Sequence, residues 1–308
     1  VDLTLPALTA GKALIKVLAA TIIPSDVLQL TGAYGILPPL PAIGGNEGVG
    51  RIAELAPDVT ALKVGQTVLL PPGSGTWSSH LVADAKRLIP LPEGADAKQL
   101  AMLTVNPPTA SLLLSAFVAL EPGSWVIQNT ANSAVGGYLV QLAKIRGLRT
   151  VNVVRRESAV AVVQEAGGDV VIVDGPELAK RVSAATNGAQ IKLAIDAAAG
   201  SSTGRLCECL VEGGVLVNYG AMSGEPCSVS PASFVFRNVT LRGFWLSQWF
   251  QKATPERQKA VFGELGMLVA TGKLRARVQA TYSLQQIKEA VAAAAAGERA
   301  GKILIVPG

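Results

Sequence analysis

The stretch VIQNTANSAVGGYLVQLAKIRG, residues 126–147, decides the fold class of this 308-residue chain. Its apolar start enters a turn of small residues, and the apolar residues that follow recur at helical spacing until Gly147. The next apolar segment, residues 150–154, runs directly into Arg155 and Arg156. A strand, a tight turn, a helix and a second strand in this order predict the first βαβ unit of a dinucleotide-binding domain.

The small-residue turn predicts a binding place for a pyrophosphate group. The N-terminus of a helix offers backbone N–H donors and the positive end of its dipole, and small residues let a phosphate approach the backbone. Gly136 would let the helix pack closely on its strand. The match to the G-x-G-x-x-G fingerprint is incomplete, because Thr130 and Asn132 stand where its first two glycines would fall. The flanking strands and the arginines therefore carry the prediction.

Arg155 and Arg156 favour NADPH over NADH as the cofactor. NAD sites place an acidic residue at the end of the second strand, where it holds the ribose hydroxyls. Such a residue would repel a 2′-phosphate, whereas the planar guanidinium group of arginine binds one. Here the strand ends in two arginines, and Glu157 comes only after them. The alternative is a solvated basic pair at the start of a helix.

The length of 308 residues suggests two globular domains, and the composition argues against nucleic acid as a partner. Hydrophobic residues make up 49% of the chain and charged residues 16%, which is ample for a core. The net charge of +5 is modest, and Lys and Arg are not interleaved with aromatic residues as they are at many nucleic-acid sites. This charge suits a small anionic substrate or an acidic carrier better than nucleic acid. Residues 100–120 are uncharged, but Asn106-Pro107-Pro108 interrupts them, so we expect a buried helical region and no membrane span.

The cysteines and the single histidine predict neither a disulfide framework nor a zinc site. Cys207, Cys209 and Cys227 include no CxxC pair, and His80 lies far from them in the sequence and alternates within a strand, where we expect a structural role. A reducing intracellular compartment fits, either the cytoplasm or, in a eukaryote, the mitochondrial matrix. The chain begins at Val1, so a targeting segment would not be visible in it.

Two regions differ in their predicted architecture. Strands at 12–20, 49–56, 66–70 and 78–82, with a short helix at 27–30 and many Gly and Pro turns, predict a partly open β-barrel up to about residue 105. Strands and helices then alternate, which predicts an α/β fold with a doubly wound parallel sheet over 106–249. The strands expected there are 125–128, 150–154, 170–173, 191–196, 215–219 and 239–244, and the helices between them 159–166, 177–186 and about 204–210.

The end of the chain is expected to return to the first domain. It contains an amphipathic helix at 255–272, strands at 276–281 and 302–306, and an Ala-rich helix at 284–296 between these strands. The predicted domains are therefore 1–105 together with 250–308, and 106–249.

Motifs along the whole chain resemble the medium-chain dehydrogenase/reductase superfamily. Within it, the chain is similar to the zinc-free branch of mitochondrial-type 2-enoyl thioester reductases and their bacterial relatives. The resemblance implies a GroES-like β-barrel catalytic domain and a Rossmann cofactor domain. The motifs that carry it are GAY at 32–34, PPLP at 38–41, GGNEGVG at 44–50, GTW at 75–77, VNPPTA at 105–110, QNTANSAVG at 128–136 and, most specifically, LRGFWLSQW at 241–249.

The same resemblance implies chemistry without zinc. Zinc alcohol dehydrogenases of the superfamily have a Cys before the first short helix and a His before the Glu of their GHE motif. This chain has Ser25 or Asp26 and Asn46 at those places, and it lacks the four-cysteine structural lobe.

The resemblance also assigns roles to individual residues. Tyr34 matches the catalytic tyrosine; the alternative is a loop tyrosine that covers apolar surface. Asn46, Trp77 and Trp249 would line the substrate pocket, although Asn46 is also a plausible partner for turn backbone and large aromatic residues are often core or hinge packing. The residues implied at the cofactor are Asn106, Asn132, Ser133, Ala134 (where the family usually has glycine), Val135, Arg155, Arg156, Glu157, Tyr219, Gly220, Ala221, Met222, Phe244, Trp245, Leu246 and Lys302.

The function expected is NADPH-dependent reduction of the trans-2 double bond of enoyl thioesters, on CoA or acyl carrier protein, in fatty acid synthesis. One alternative is an NADPH-dependent quinone or activated-alkene oxidoreductase with the same fold. Another is a protein that binds the cofactor without turnover. From the resemblance we also expect a homodimer, joined by the cofactor-domain sheets near residues 239–244.

Overall fold

The computed structural model describes residues 4–296 and 301–308, and it divides into two compact units. The first unit joins the chain up to Pro108 with the chain from Ala253 onward, and the second unit is Thr109–Lys252. The predicted domains, 1–105 with 250–308 and 106–249, differ from these bounds by three residues at each boundary and stay a prediction. Residues 1–3 and 297–300 of the predicted first domain lie outside the described residues.

The secondary-structure elements alternate along the chain as follows. The strands are β1 Lys12–Thr21, β2 Gly48–Leu55, β3 Thr67–Leu69, β4 His80–Asp84, β5 Ile89–Pro90, β6 Trp125–Gln128, β7 Arg149–Val154, β8 Val170–Val173, β9 Leu193–Asp196, β10 Val215–Asn218, β11 Thr240–Gly243, β12 Val278–Tyr282 and β13 Lys302–Ile305. The helices are α1 Pro24–Leu30, α2 Ala97–Leu100, α3 Asn106–Leu113, α4 Ala134–Ile145, α5 Val160–Glu165, α6 Leu178–Thr186, α7 Ser201–Glu208, α8 Pro231–Val235, α9 Leu246–Lys252, α10 Pro255–Ala270 and α11 Ile287–Ala295.

The first unit is built around β1. This strand pairs antiparallel with β2, β4 and β13, in a sheet whose strands follow the order β12-β13-β1-β2-β3-β5. Its alternate residues Ala13, Ile15 and Val17 are buried in the core, as the period of two along a strand requires. Through the pairing of β1 with β13, a strand from the end of the chain joins the sheet of the first unit.

The second unit contains the predicted doubly wound sheet. Its strands are all parallel and follow the order β11-β10-β9-β6-β7-β8. The order reverses between β6 and β9, and in such sheets ligands bind at the carboxyl ends of the strands beside this reversal. The bounds of β6 and β8 coincide with the prediction.

Two helices differ from their predictions for reasons of local packing. α7 begins at Ser201 rather than near Gly204. Gly204 lies inside the helix, where a Cβ would stand 2.8 Å from the carbonyl oxygen of Ser228, so this contact explains the glycine. Pro107 and Pro108 do not interrupt a helix but lie in the first turn of α3, where a proline costs no helical hydrogen bond. α3 is buried, as the sequence predicted.

A membrane-spanning helix would need a long, uninterrupted apolar segment. In the described ranges, none of the helices meets that requirement.

Candidate active site

The turn between β6 and α4 is held in place by its own residues. Ser133 caps α4, and its Oγ accepts a hydrogen bond from the backbone N–H of Gly136 at 3.1 Å. A Cβ on Gly136 would stand 2.4 Å from the carbonyl oxygen of Ala131, so only glycine fits between helix and turn. Ala134 begins α4 with a negative φ, so its methyl group causes no backbone strain. The N-terminus of this 12-residue helix thus lies at the end of the turn.

Buried hydrogen bonds of the Gln128 side chain also hold this turn, and the sequence did not reveal them. The side-chain amide of Gln128, at the end of β6, donates to the carbonyl oxygen of Gly136 at 3.1 Å and to Oδ1 of Asn152 on β7 at 2.8 Å. Thr130, at one of the missing fingerprint glycines, takes a left-handed conformation with φ 50°. Amide pairs across neighbouring strands leave no periodic signal, so only the sheet order brings these residues together.

The two arginines lie at the carboxyl end of β7, next to β6 in the sheet. Arg155 and Glu157 are exposed, and Arg156 is half-buried at the start of a 3₁₀ turn over Glu157–Ala159. This is the edge of the sheet at which dinucleotides bind. Their contact with a 2′-phosphate stays a prediction.

The structure brings Tyr219 to the start of α4. The residue follows β10, and its hydroxyl group shares a hydrogen bond with Ser133. Burial raises the pKa of Tyr219 above its ordinary value, so the phenol stays protonated. Behind it, a Cβ on Gly220 would stand 3.0 Å from the carbonyl oxygen of Ala197, whereas Ala221 and Met222 are exposed.

The aromatic segment after β11 continues from this turn. The backbone N–H of Phe244 donates to the carbonyl oxygen of Asn218 at 2.9 Å, and its ring meets that of Phe117 edge to face, with centroids 5.9 Å apart. Leu246 is buried at the start of α9, and Trp245 is 44% exposed. These contacts place the segment beside the strand end of β10.

Trp249, a predicted pocket residue, lies on α9. It packs edge to face on Phe250, with centroids 5.4 Å apart. Its indole nitrogen is buried without a hydrogen-bond partner among the described residues. A buried indole N–H usually has a hydrogen-bond acceptor, so this position suits a polar group of a ligand.

In the first unit, Tyr34 lies in the loop directly after α1. Its backbone N–H donates to the carbonyl oxygen of Leu28, so the end of α1 sets its position. The helix ends as predicted, because Gly32 takes the left-handed conformation at φ 73°. The side chain is half-buried.

Asn46 anchors α1 from the opposite side. Its backbone N–H and its side-chain amide both donate to Oδ1 of Asp26, at 3.1 and 2.5 Å, and the amide also reaches Oε1 of Gln29 at 2.9 Å. Burial raises the pKa of Asp26 to about 6, against the hydrogen bonds from Ile23 and Asn46, which lower it. Asn46 therefore bonds to two side chains of α1 and not only to the backbone of its turn. Its role in the substrate pocket stays a prediction.

A second buried carboxylate lies beside it. Glu47 accepts hydrogen bonds from the hydroxyl group of Thr21 at 2.6 Å and from the backbone N–H of Val105 at 3.0 Å. Burial raises its pKa, and the charge of Lys302 lowers it. Lys302 is buried on β13, and its charge also lowers the pKa of Asp26. The predicted contact of Lys302 with a phosphate stays a prediction beside these carboxylates.

Trp77 packs where Gly44 and Gly45 leave room for it. A Cβ on Gly44 would stand 2.5 Å from the indole ring, and the indole N–H donates to the carbonyl oxygen of Thr21 at 3.1 Å. These contacts give Trp77 a packing role, and its predicted part in a substrate pocket stays a prediction.

The chain is similar to known proteins in both of its units. Residues 9–93 match the alcohol dehydrogenase GroES-like domain family, and residues 134–261 match the zinc-binding dehydrogenase family. The mitochondrial enoyl-(acyl-carrier-protein) reductase of Homo sapiens is 36% identical over 301 residues, which cover 95% of this chain and 80% of that protein. The chain belongs to the enoyl-(acyl-carrier-protein) reductase family of the medium-chain dehydrogenase/reductase superfamily. The predicted superfamily and its two-part α/β fold are thereby confirmed.

Two solved structures resemble this family member over nearly its whole length. The complex of Etr1p with NADP and crotonyl-CoA is 26% identical with a TM-score of 0.88, covering 97% of this chain and 92% of that one. A Bacillus thuringiensis protein solved under the name NADPH:quinone reductase is 28% identical with a TM-score of 0.90, covering 99% of this chain and 93% of that one.

The residues of this family member fit a nicotinamide cofactor in two places. Asn106, at the first residue of α3, is buried, and its side-chain N–H₂ group has no hydrogen-bond partner among the described residues. A buried amide donor left unpaired costs free energy, so the position calls for an acceptor such as the ribose or carboxamide that the resemblance implies. The second place is the start of α4, where Gly136 packs closely on the turn and the N-terminus of the helix suits a pyrophosphate.

The metal ligands of the zinc dehydrogenases have no counterpart in the arrangement seen here. Within residues 4–296 and 301–308, no three His, Cys, Asp or Glu side chains are grouped so that they could hold a metal ion. Asp26 instead accepts hydrogen bonds from Asn46, the residue at the position where those enzymes have their histidine.

Proposed function

We propose that this protein reduces the trans-2 double bond of enoyl thioesters, carried on CoA or acyl carrier protein, with NADPH, as a step of fatty acid synthesis. The observation that carries the proposal is the match to the human enoyl-(acyl-carrier-protein) reductase along 95% of the chain. The solved Etr1p complex contains both NADP and an enoyl thioester, crotonyl-CoA, which supports the same reaction.

NADPH, when bound, supplies the hydride that adds to the β-carbon of the substrate. The chain itself must then stabilise the negative charge that develops on the thioester carbonyl oxygen and deliver a proton to the α-carbon. We assign both tasks to the phenol of Tyr34, which can donate a hydrogen bond to the enolate oxygen or transfer its proton. Its support comes from its place in the GAY motif and from the backbone bond that ties it to the end of α1.

The residues proposed to bind the cofactor form three groups, one for each part of NADPH. The start of α4, with Asn132, Ser133, Ala134 and Val135, would hold the pyrophosphate through its backbone N–H groups. Arg155 and Arg156 would bind the 2′-phosphate with Glu157 beside them. The residues assigned to the nicotinamide end are Asn106, Tyr219, Gly220, Ala221, Met222, Phe244, Trp245 and Leu246, with Lys302 at a phosphate.

The substrate would meet Asn46, Trp77 and Trp249. The unpartnered indole N–H of Trp249 supports a polar contact, whereas Trp77 and Asn46 already have partners within the first unit. We therefore assign Trp77 and Asn46 to the shape of the pocket rather than to hydrogen bonds with the substrate.

Quinone reduction is the second candidate, since the Bacillus thuringiensis protein bears that name. The deciding experiment follows NADPH absorbance at 340 nm with a short and a long trans-2-enoyl-CoA, and with a quinone in parallel. Turnover of the thioesters is expected, and the ratio between chain lengths would report the size of the pocket. Turnover of the quinone alone would support quinone reduction and contradict the proposed thioester reduction. NADPH binding without any turnover would indicate a non-enzymatic role.

The assembly we propose is a homodimer joined at β11. This strand is at an edge of its sheet, and all of its residues are exposed. Exposed apolar side chains accompany it, with Val235 71% and Phe236 79% exposed. An unpaired strand edge with apolar neighbours is a natural place for a second copy to pair. A monomer in light scattering would contradict the proposal.

An intracellular compartment completes the proposal. The human relative is named as mitochondrial, and reduction by NADPH suits a reducing compartment such as the cytoplasm or the mitochondrial matrix. Fractionation of the source cells would test it.

A further inference from the structure

A fully buried carboxylate, Asp196, lies at the carboxyl end of β9 and accepts five hydrogen bonds. Oδ1 accepts three of them and Oδ2 two. The donors at Oδ1 are the side-chain amide of Asn129 at 2.6 Å and the backbone N–H groups of Ala198 at 2.9 Å and Ala199 at 3.0 Å; those at Oδ2 are the hydroxyl group of Thr203 at 2.7 Å and the side-chain amide of Asn218 at 3.0 Å.

The loop after β9 owes its shape to this carboxylate and to Asn129. The side-chain oxygen of Asn129 accepts from the backbone N–H of Ala197 at 2.8 Å, while Asp196 binds the next two N–H groups. Ala199 has φ 62°, a left-handed conformation that alanine rarely takes. Such a conformation persists only where the surroundings impose it, and here the hydrogen bonds that the loop's backbone N–H groups donate to two side chains do so.

The turn after β10 rests on the loop that Asp196 holds. The backbone N–H of Tyr219 donates to the carbonyl oxygen of Asp196 at 2.9 Å, and that of Met222 donates to Ala197 at 3.0 Å. The amide of Asn218 bridges the two, because it donates both to Asp196 and to the carbonyl oxygen of Gly220 at 2.9 Å. Residues 219–222 are those assigned above to the nicotinamide end of the cofactor.

We infer that Asp196 is a positioning residue for the nicotinamide half of NADPH, acting through Asn218 and the 197–199 loop. The inference rests on the proposed function, in which residues 219–222 approach the nicotinamide. A carboxylate suits this place because all five neighbours donate to it. An asparagine at this place would turn an N–H₂ group toward one of them; opposite Asn218, two amide donors would face each other and the bond to Gly220 would be lost.

The test separates the two halves of the cofactor by calorimetric titration. NADPH contains the nicotinamide, whereas 2′,5′-ADP contains only the adenosine half with its 2′-phosphate. Asp196→Asn is expected to weaken NADPH binding about tenfold, which corresponds to the loss of one or two buried hydrogen bonds, and to leave 2′,5′-ADP binding unchanged. No substrate turnover is needed for this readout.

Two further variants make the result decisive. Asp169→Asn is the matched control, because Asp169 binds the backbone N–H of Thr150 at 2.8 Å near the amino end of β7, and both ligands should bind it as they bind the wild type. Asn218→Ala removes the bridge between Asp196 and Gly220 and leaves the other four donors of Asp196 in place. It should reproduce the selective loss of NADPH affinity even if Asp196→Asn fails to fold.

Equal weakening of both ligands, or unchanged binding of NADPH, would overturn the inference. A wild-type protein that binds NADPH but turns over no enoyl thioester would contradict the proposed function while the comparison of variants still decides the role of Asp196. A wild-type protein that binds neither ligand would overturn both.

Discussion

Gly136 is the position at which the cofactor turn tolerates least change. In Gly136→Ala the new Cβ would stand 2.4 Å from the carbonyl oxygen of Ala131 and 2.7 Å from its carbonyl carbon. Both atoms belong to the backbone, so no side-chain rotation can relieve the overlap. To reach an ordinary contact of 3.4 Å, the helix and the turn must separate by about 1 Å. Overpacking of this kind costs about 2–3 kcal/mol of the free energy of unfolding.

The displaced turn carries the N–H groups proposed to bind the pyrophosphate. A shift of about 1 Å in a positioned group commonly costs about 100-fold in function, so we expect the NADPH dissociation constant to rise 10- to 100-fold. Gly137→Ala is the matched control in the same helix, since a Cβ there meets no atom within 4 Å. Alanine in a helix is favoured over glycine by about 0.5–1 kcal/mol, so the control should be slightly more stable and bind normally.

Urea denaturation and NADPH titration of the two variants measure these effects side by side. If Gly136→Ala matched Gly137→Ala in both stability and NADPH affinity, the tight contact between α4 and the turn would not exist as described. If it lost stability but kept full affinity, the turn would not be the pyrophosphate site.

Three further predictions concern the cofactor phosphate, pH and backbone strain. Replacing Arg155 and Arg156 by Ala should raise the KM for NADPH and leave that for NADH unchanged, and equal effects on both would contradict a 2′-phosphate role. Burial raises the pKa of Asp26 to about 6 in the native state, beside Glu47 and Lys302. The free energy of unfolding should therefore fall as the pH rises from about 4 to about 6, and it should stay low above pH 6. The difference in free energy of unfolding between Asp26→Asn and wild type should therefore shift by about 2 kcal/mol in favour of the variant from pH 4 to pH 7. A difference that does not depend on pH would refute the raised pKa. Ala199→Gly relieves a left-handed alanine and should raise the free energy of unfolding in urea by about 0.5–1 kcal/mol, and a loss would contradict the strain.

The sequence predicted the elements well because their signals are local. Apolar periodicity and a small-residue turn were enough for β6, α4 and β7, and the left-handed Gly147 after α4 was visible as a helix end. The predicted helix at about 204–210 starts too late, since α7 begins at Ser201 and Gly204 lies inside it, where its missing side chain leaves room for Ser228, 24 residues further on. A glycine demanded by tertiary packing looks the same in the sequence as one at a helix end.

The polar contacts of the site were not accessible to the same reasoning. Asp196 and Asn129 are 67 residues apart, and Asn46 and Asp26 are 20 apart, so no local spacing indicates that they pair. Their contacts follow from the order of the strands in each sheet. Ser133 and Tyr219 were both assigned to the cofactor by resemblance, but only the fold joins them.

The most direct test of the proposed reaction compares wild type with Tyr34→Phe in stopped-flow measurements of NADPH oxidation by a trans-2-enoyl-CoA and by a quinone. If the phenol stabilises the enolate or protonates it, kcat/KM for the thioester should fall about 100-fold or more, while NADPH affinity and reduction of the quinone stay close to wild type. An unchanged kcat/KM for the thioester would contradict the assignment of Tyr34.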